Sequence, residues 1–272
     1  MSKEVELVAR STYNLLVGMD LHFNLDLATG YKSLSQKCRV LTEAWVHQEV
    51  FCPACGSAIK PYPRNNPAAD FFCPNCSEIF ELKSKHGSIG RKIVDGAYRS
   101  LMERLNGNRN PNLFLLSYDV NSSEVVNFVV VPKYFFVPSM IEERPPLSPT
   151  SRRAGWVGCN IIIGVVPEAG RIHYVTDRSI NPKQSVRNMW QQTAFLGGAS
   201  GVKRGWLIDI IGCVERIPSD EFYLEDIYRF ESELAVKHPD NTHIKDKIRQ
   251  QLQVLRDKGY LTFLGRGRYR KN

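Results

Sequence analysis

The sequence lacks any long hydrophobic run. Its longest apolar stretches, Asn127 to Pro132 and Asn160 to Pro167, fall well short of the roughly 18 residues a membrane-spanning helix needs, so no bilayer crossing is expected. The N-terminus opens with Lys3, Glu4 and Glu6 and has no apolar core followed by a small-residue cleavage site. That argues against secretion and for the cytoplasm. Internal repeats and long low-complexity tracts are missing too. The six histidines, His22, His47, His86, His173, His238 and His243, show no His-x-x-x-His spacing, which sets aside a histidine-based metal esterase. Cysteine is scarce, and its odd count of seven, four of them in two close pairs, speaks for metal binding in a reducing compartment over a disulfide framework.

What is present describes an ordinary globular protein: 43% hydrophobic and 24% charged residues in a chain of 272, long enough for two domains. The net charge of +8 favours a polyanionic partner, and its distribution says more than its size. From His243 to Asn272 nine Lys and Arg face two Asp, whereas Glu215 to Asp240 carries eight acids against three bases. The small, polar stretch Leu196 to Val202 reads as a linker. The expected organisation is therefore an N-terminal extension over 1–18, a first domain over 19–196, a linker over 197–202 and a second domain over 203–272.

Upstream of the linker, short β-rich runs (Asn112 to Tyr118, Val125 to Val131, Asn160 to Val166, Arg171 to Val175) alternate with helical patterns over Leu41 to Gln48 and Gly90 to Leu105. That predicts an α/β or α+β fold. Glu142 to Trp156 is rich in proline and arginine and has neither period. It is read as a long loop in which Arg152, Arg153 and Trp156 suit phosphates and bases. Downstream, Trp206, Ile210, Ile211, Val214 and Ile217 recur at helical spacing, and a second helix is predicted over Leu224 to Ala235. A third, capped by Thr242, buries Ile244, Ile248, Leu252 and Leu255 and turns Lys245, Arg249, Gln250, Gln253 and Arg256 outward. Gly259 stops it. A hairpin over 260–271 then places Arg266, Arg268 and Arg270 at and beside its tip. Three helices and a hairpin make a winged helix, whose third helix enters the major groove.

Cys52-Pro-Ala-Cys55 and Cys73-Pro-Asn-Cys76, seventeen residues apart, supply four thiolates at the spacing of a structural Zn²⁺ site with no open position for water. Cys38, Cys159 and Cys213 sit among apolar neighbours and read as core. If Phe71-Phe72 pairs with Ile79-Phe80, the second knuckle becomes the turn of a hairpin carrying Asp70 on one strand and Glu81 and Lys83 on the other. Residues two apart share a strand face. Asp70, Glu81 and the Leu82 carbonyl would then suit Mg²⁺, with Lys83 orienting the attacking water. Glu43 is a further carboxylate candidate, and His86 reads as solvent-facing.

The triplet with its lead-in Pro67-Ala-Ala-Asp70 resembles the PD-(D/E)XK nuclease motif. From Leu21 onward the chain is similar to the DpnI-type methyl-directed restriction endonucleases, through Cys52 to Lys85, Asp95-Gly-Ala-Tyr98, Arg152-Arg-Ala-Gly-Trp156, Gly205-Trp206 and His243 to Arg270. The resemblance implies a bacterial type II enzyme, expected to act as a monomer. It would cut double-stranded DNA at GATC sites carrying N6-methyladenine, with Mg²⁺ as cofactor, both domains on DNA and Trp156 near the methyl groups. Two other readings fit the residues alone: a zinc-containing winged-helix regulator, and a methylated-DNA reader without cleavage.

Overall fold

The computed structural model describes residues 18–63, 69–107, 110–199 and 201–272. Most of the extension placed at 1–18, and Pro67 and Ala68 of the lead-in to Asp70, lie outside them. The chain divides into two compact units: residues 1–90, 110–133 and 172–190 form one, and 91–109, 134–171 and 191–272 the other.

The first unit is a mixed sheet with a helix against it. Helix α1 (Leu34–Glu49) precedes strands β1 (Lys60–Pro61), β2 (Phe71–Phe72) and β3 (Ile79–His86). In the second unit the chain forms β4 (Ile93–Ala97) and α2 (Tyr98–Asn106), then returns to the first for β5 (Asn112–Asp119) and β6 (Glu124–Val131). Strand β7 (Ile141–Glu143) and β8 (Gly158–Ile161) follow in the second unit, and β9 (Ile172–Thr176), β10 (Ser179–Ile180) and most of α3 (Lys183–Thr193) belong again to the first. The seven-stranded sheet has the order β1-β2-β3-β5-β6-β9-β10, with only β3 and β5 parallel.

Strand β5 is buried along all but its last residue, as a central strand covered on both faces must be. On the face toward α1, Phe80, Phe114, Phe128 and Tyr174 form a continuous aromatic row, and Trp45 of α1 packs edge-on against Phe128 at 5.3 Å. Phe80, fully buried, thereby anchors the strand that carries Glu81 and Lys83. Truncating it to alanine would cost about 3–5 kcal/mol.

The second unit contains a small sheet, β4-β8-β7, and a winged helix. The winged helix is built from α4 (Gly201–Glu215), β11 (Glu221–Tyr223), α5 (Leu224–Tyr228), α6 (Glu231–Lys237), α7 (Ile244–Asp257), β12 (Leu261–Gly265) and β13 (Arg268–Lys271), with strand order β11-β13-β12. Ile244, Ile248, Leu252 and Leu255 form the buried stripe of α7 as expected, joined by Gln251. The wing turns through Gly265, Arg266 and Gly267, all at positive φ, which the two glycines accommodate without a Cβ clash.

Several local expectations need correction. Residues 93–97, read as the start of a helix, form a strand, so that helix begins only at Tyr98. The run Asn160 to Val166 is a strand only to Ile161, after which Ile163–Val165 turns as a 3-10 helix. The loop from Glu142 begins inside β7. The helix over Leu224 to Ala235 is two helices broken at Arg229 and Phe230. Thr242 does not cap α7: His243 is the N-cap residue and makes no side-chain cap, while Asn241 accepts the His243 N–H at 2.8 Å. Ala194–Gly198 forms a 3-10 turn and α4 starts at Gly201, inside the segment read as linker. No helix among the described residues is long and apolar enough to cross a membrane.

Candidate active site

The two cysteine knuckles fold alike. In each, the first cysteine's N–H donates to the carbonyl five residues on (Ser57 at 2.8 Å, Glu78 at 2.8 Å) and its carbonyl accepts from the residue four on (Gly56 at 2.7 Å, Ser77 at 2.9 Å). Gly56 and Ser77 both take positive φ to close the turn. Gly56 is also closely approached by Lys183 and Arg187 of α3, about 3.2 and 3.3 Å from where its Cβ would stand. The four sulfurs of Cys52, Cys55, Cys73 and Cys76 lie within 4.8 Å of one another, with cross-knuckle separations of 3.5 Å (Cys52–Cys76) and 3.4 Å (Cys55–Cys73). Four thiolates about 2.3 Å from a tetrahedral Zn²⁺ stand roughly 3.8 Å apart, so the donor set fits that ion. Burial pushes the Cys52 thiol up, whereas at Cys55 hydrogen bonds from Asn75 and Ser57 outweigh burial and draw it down to about 6.

The knuckle Cys73 to Cys76 is the turn between β2 and β3, whose register pairs Phe71 with Phe80 and Phe72 with Ile79, as expected from the sequence. At the other end of this hairpin, Asp70 leaves the ladder. Its N–H donates to the Phe80 carbonyl at 2.9 Å, and its carboxylate accepts the Leu82 N–H at 2.7 Å. Within a strand the N–H and C=O of one residue point to the same edge. The Leu82 carbonyl therefore opens on the edge where the Asp70 carboxylate sits. Glu81 and Lys83 project together from one face of β3, joined by an ion pair of 2.7 Å, and both are largely shielded. The opposite face, with Leu82 and Ser84, turns toward α1, where Ser84 meets Thr42 at 3.3 Å.

A cleft of about 470 Å³ runs between α1 and this edge, lined by Arg39 and Glu43 from α1 and by Asp70, Leu82, Lys85 and His86, among others. Arg39 donates to Glu43 at 2.6 Å. The hydrogen bond and charge of Glu43 raise the Arg39 pKa further, with a smaller contribution from Asp70. His86, read as solvent-facing, is exposed and borders this cleft, and Glu43 shares the cleft with Asp70. Cys38, read as core, is only half-buried; its sulfur accepts from Tyr118 at 2.9 Å. Cys159 and Cys213 are buried.

In the second unit, the 144–158 loop is tied at its base by Arg144 N–H to Gly158 and Leu147 N–H to Trp156. Trp156 lies under the Arg153 guanidinium, 4.4 Å from the ring centre. Its ring passes so close to β8 that a Cβ on Gly158 would come within 2.8 Å of it, so the backbone there has to be glycine for the ring to lie flat. The same ring borders a cavity of about 680 Å³ with Tyr98, Met102, Asn106 and Glu143. Met102 was not singled out in the sequence and Tyr98 only within the run Asp95-Gly-Ala-Tyr98, although their i, i+4 spacing on a helix is the available signal. Arg152 is exposed.

Lys245, Arg249, Gln250, Gln253 and Arg256 all lie on the exposed face of α7. Most are engaged locally: Lys245 with Glu231 at 3.4 Å, Arg249 with Asp246, Arg256 with Asp257 at 2.8 Å, and Gln250 with Lys247 at 2.8 Å. On the wing, Arg266 and Arg270 are exposed and Arg268 pairs with Glu221 at 2.7 Å.

With this geometry in place, comparison with known families is decisive. Residues 19–199 match the DpnI family, described as the Dam-replacing family, and residues 202–271 match the Dam-replacing HTH domain. The chain belongs to the DpnI family. Membership supports a methylation-dependent restriction endonuclease, a hydrolase whose partner is DNA. The mixed α/β core followed by a winged helix is the fold expected from the sequence.

Proposed function

We propose that this member of the DpnI family cleaves double-stranded DNA at GATC sites bearing N6-methyladenine, in a Mg²⁺-dependent hydrolysis centred on Asp70, Glu81 and Lys83. The observation that carries the reading is that the Asp70 carboxylate accepts the N–H of Leu82, the residue between Glu81 and Lys83 on β3, whose side chains pair with each other. Asp70, Glu81 and the Leu82 carbonyl offer the hard oxygen donors that Mg²⁺ requires. Bound there, the ion supplies positive charge against the phosphate as negative charge develops on it. Lys83, held by Glu81, orients the attacking water and assists loss of its proton. The Leu82 N–H fixes the Asp70 carboxylate, so the donor set is oriented before substrate arrives.

In this reading the four cysteines hold a structural Zn²⁺ that pins the turn of the β2–β3 hairpin. Arg152 and Arg153 contact phosphate and Trp156 receives the methyl group. An added methyl leaves adenine N7 free to accept a hydrogen bond while offering apolar surface to an aromatic face. The α7 side chains Lys245, Arg249, Gln250, Gln253 and Arg256 face the major groove, and Arg266, Arg268 and Arg270 hold backbone phosphate. We place the boundary between nuclease and winged-helix domains at 197–202, the extension at 1–18, and the working form as a monomer in the bacterial cytoplasm.

The test is Asp70→Ala on adenine-methylated plasmid and on a labelled methylated duplex. The expected result is loss of cleavage with the gel shift retained. Normal turnover by this variant would remove Asp70 from the mechanism, and a wild-type chain that shifts methylated DNA but never cuts it would be a reader instead.

A further inference from the structure

The cleft beside Asp70 is lined by two cations, Arg39 and Lys85, that the Asp70, Glu81 and Lys83 set does not include. Strand β2 pairs with β3 only at Phe71–Phe72 and Ile79–Phe80. On its other side β3 is paired with β5 from Phe80 to His86. Among the described residues, β3 from Glu81 onward therefore has one edge without a strand partner, and that edge is a wall of the cleft whose other wall is α1. Two long cations border it: Arg39 from α1, and Lys85 from β3, whose side chain leaves the strand on the face of Glu81 and Lys83. Lys85 is exposed and has no ion pair among the described residues, whereas Lys92 and Lys133 each engage a carboxylate, at 2.7 and 2.9 Å. Arg39 is held by Glu43 in a half-exposed pair, which can be exchanged for a phosphate at small cost.

An open strand edge flanked by cations is complementary to an extended phosphodiester chain, because backbone N–H groups and basic side chains both favour phosphate oxygens. Two residues along a strand advance about 6.6 Å. That step is close to the spacing of neighbouring phosphates along one DNA strand, so a phosphate at Asp70 and Leu82 brings the next one level with Ser84 and Lys85. We infer that Lys85 and Arg39 form a phosphate clamp for the strand being cut, which runs along the open edge of β3 with the phosphate next to the scissile one between these two side chains. The inference rests on the reading of Asp70 as the cleavage centre and adds a substrate path to it.

Fluorescence anisotropy tests it with the full chain and a labelled methylated GATC duplex, in buffer without added divalent ions, over about 50 to 300 mM KCl. A lost phosphate contact lowers the slope of log affinity against log salt by about 0.9. The Arg39→Ala/Lys85→Ala double variant, which removes both sides of the one-phosphate clamp, should show about that loss and Lys85→Ala part of it, equally on unmethylated DNA, with Lys85→Arg keeping the wild-type slope. Lys85 is exposed, so folding is not at stake. An unchanged slope and affinity in Lys85→Ala would overturn the clamp. Binding is read without cleavage, so the two readings fail separately: a wild-type chain with the expected slopes and no cleavage sinks the nuclease reading alone, and a chain that cuts normally with no slope change sinks the clamp alone.

Discussion

The two ends of the β2–β3 hairpin solve opposite problems. At the turn, four sulfurs converge within 4.8 Å and the two knuckles that present them are closed by matching backbone hydrogen bonds. At the other end the ladder stops after two residue pairs, and Asp70, released from it, uses its carboxylate to hold the Leu82 N–H. A closed four-thiolate set contributes folding free energy and leaves no room for substrate. An open edge with carboxylates and a lysine contributes little to stability and is accessible to a phosphate. One short hairpin thus joins the four-cysteine turn to the proposed reactive edge, and the fully buried Phe80 lies between them.

That contrast can be broken from either end. The largest effect on activity should come from Asp70→Ala: cleavage of methylated plasmid falls below detection while the melting temperature, read by circular dichroism, hardly moves. Cys73→Ser attacks the closed end, where apparent zinc-binding free energy on the order of 10 kcal/mol is at stake. It should lower the melting temperature and the measured zinc content along with activity; full stability with zinc lost would mean that the knuckles fold without a metal. Lys83→Ala should slow single-turnover cleavage by about 10²–10⁴-fold with binding unchanged, and a weaker gel shift without a rate defect would make Lys83 a phosphate contact instead. The smallest effect lies outside the hairpin. Trp156→Ala removes an aromatic face worth about 0.5–1.5 kcal/mol, so the ratio of affinities for methylated and unmethylated duplex should fall roughly two- to tenfold. An unchanged ratio would move methyl reading to the winged helix.

The parts of this architecture that were legible in the sequence are those set by short-range spacing. Paired knuckles place four sulfurs together, and a knuckle flanked by Phe71-Phe72 and Ile79-Phe80 makes a hairpin almost unavoidable. The stripe Ile244, Ile248, Leu252 and Leu255 is likewise local. What escaped was decided by competition or by distance. Ile93, Val94 and Ala97 fit a helical period, yet Ile93 and Val94 are β-branched and pair with Ile161 and Asn160 of β8. Asn241 and Thr242 are both residues that favour caps, yet neither caps α7, and Asn241 instead accepts the N–H of the N-cap residue His243. Arg39 lines the cleft with Asp70, and with the carboxylate candidate Glu43, only through the packing of α1 on the sheet, a contact across some thirty residues that no local pattern announces.

The basic face of the winged helix offers a second contrast with the edge at Asp70. There Lys245, Arg249, Arg256 and Arg268 are each matched with a nearby acid, and exposed pairs of this kind hold by about 0–1 kcal/mol. They can be exchanged for phosphate readily, whereas Lys83 is held by the Glu81 carboxylate beside the proposed reacting centre.

The most direct test of the central claim is digestion of one plasmid in two forms, adenine-methylated at GATC and unmethylated, each with and without Mg²⁺. The account predicts discrete fragments from the methylated form with Mg²⁺ and intact DNA in the other three lanes. Equal cutting of both forms, or intact plasmid in every lane, would contradict it.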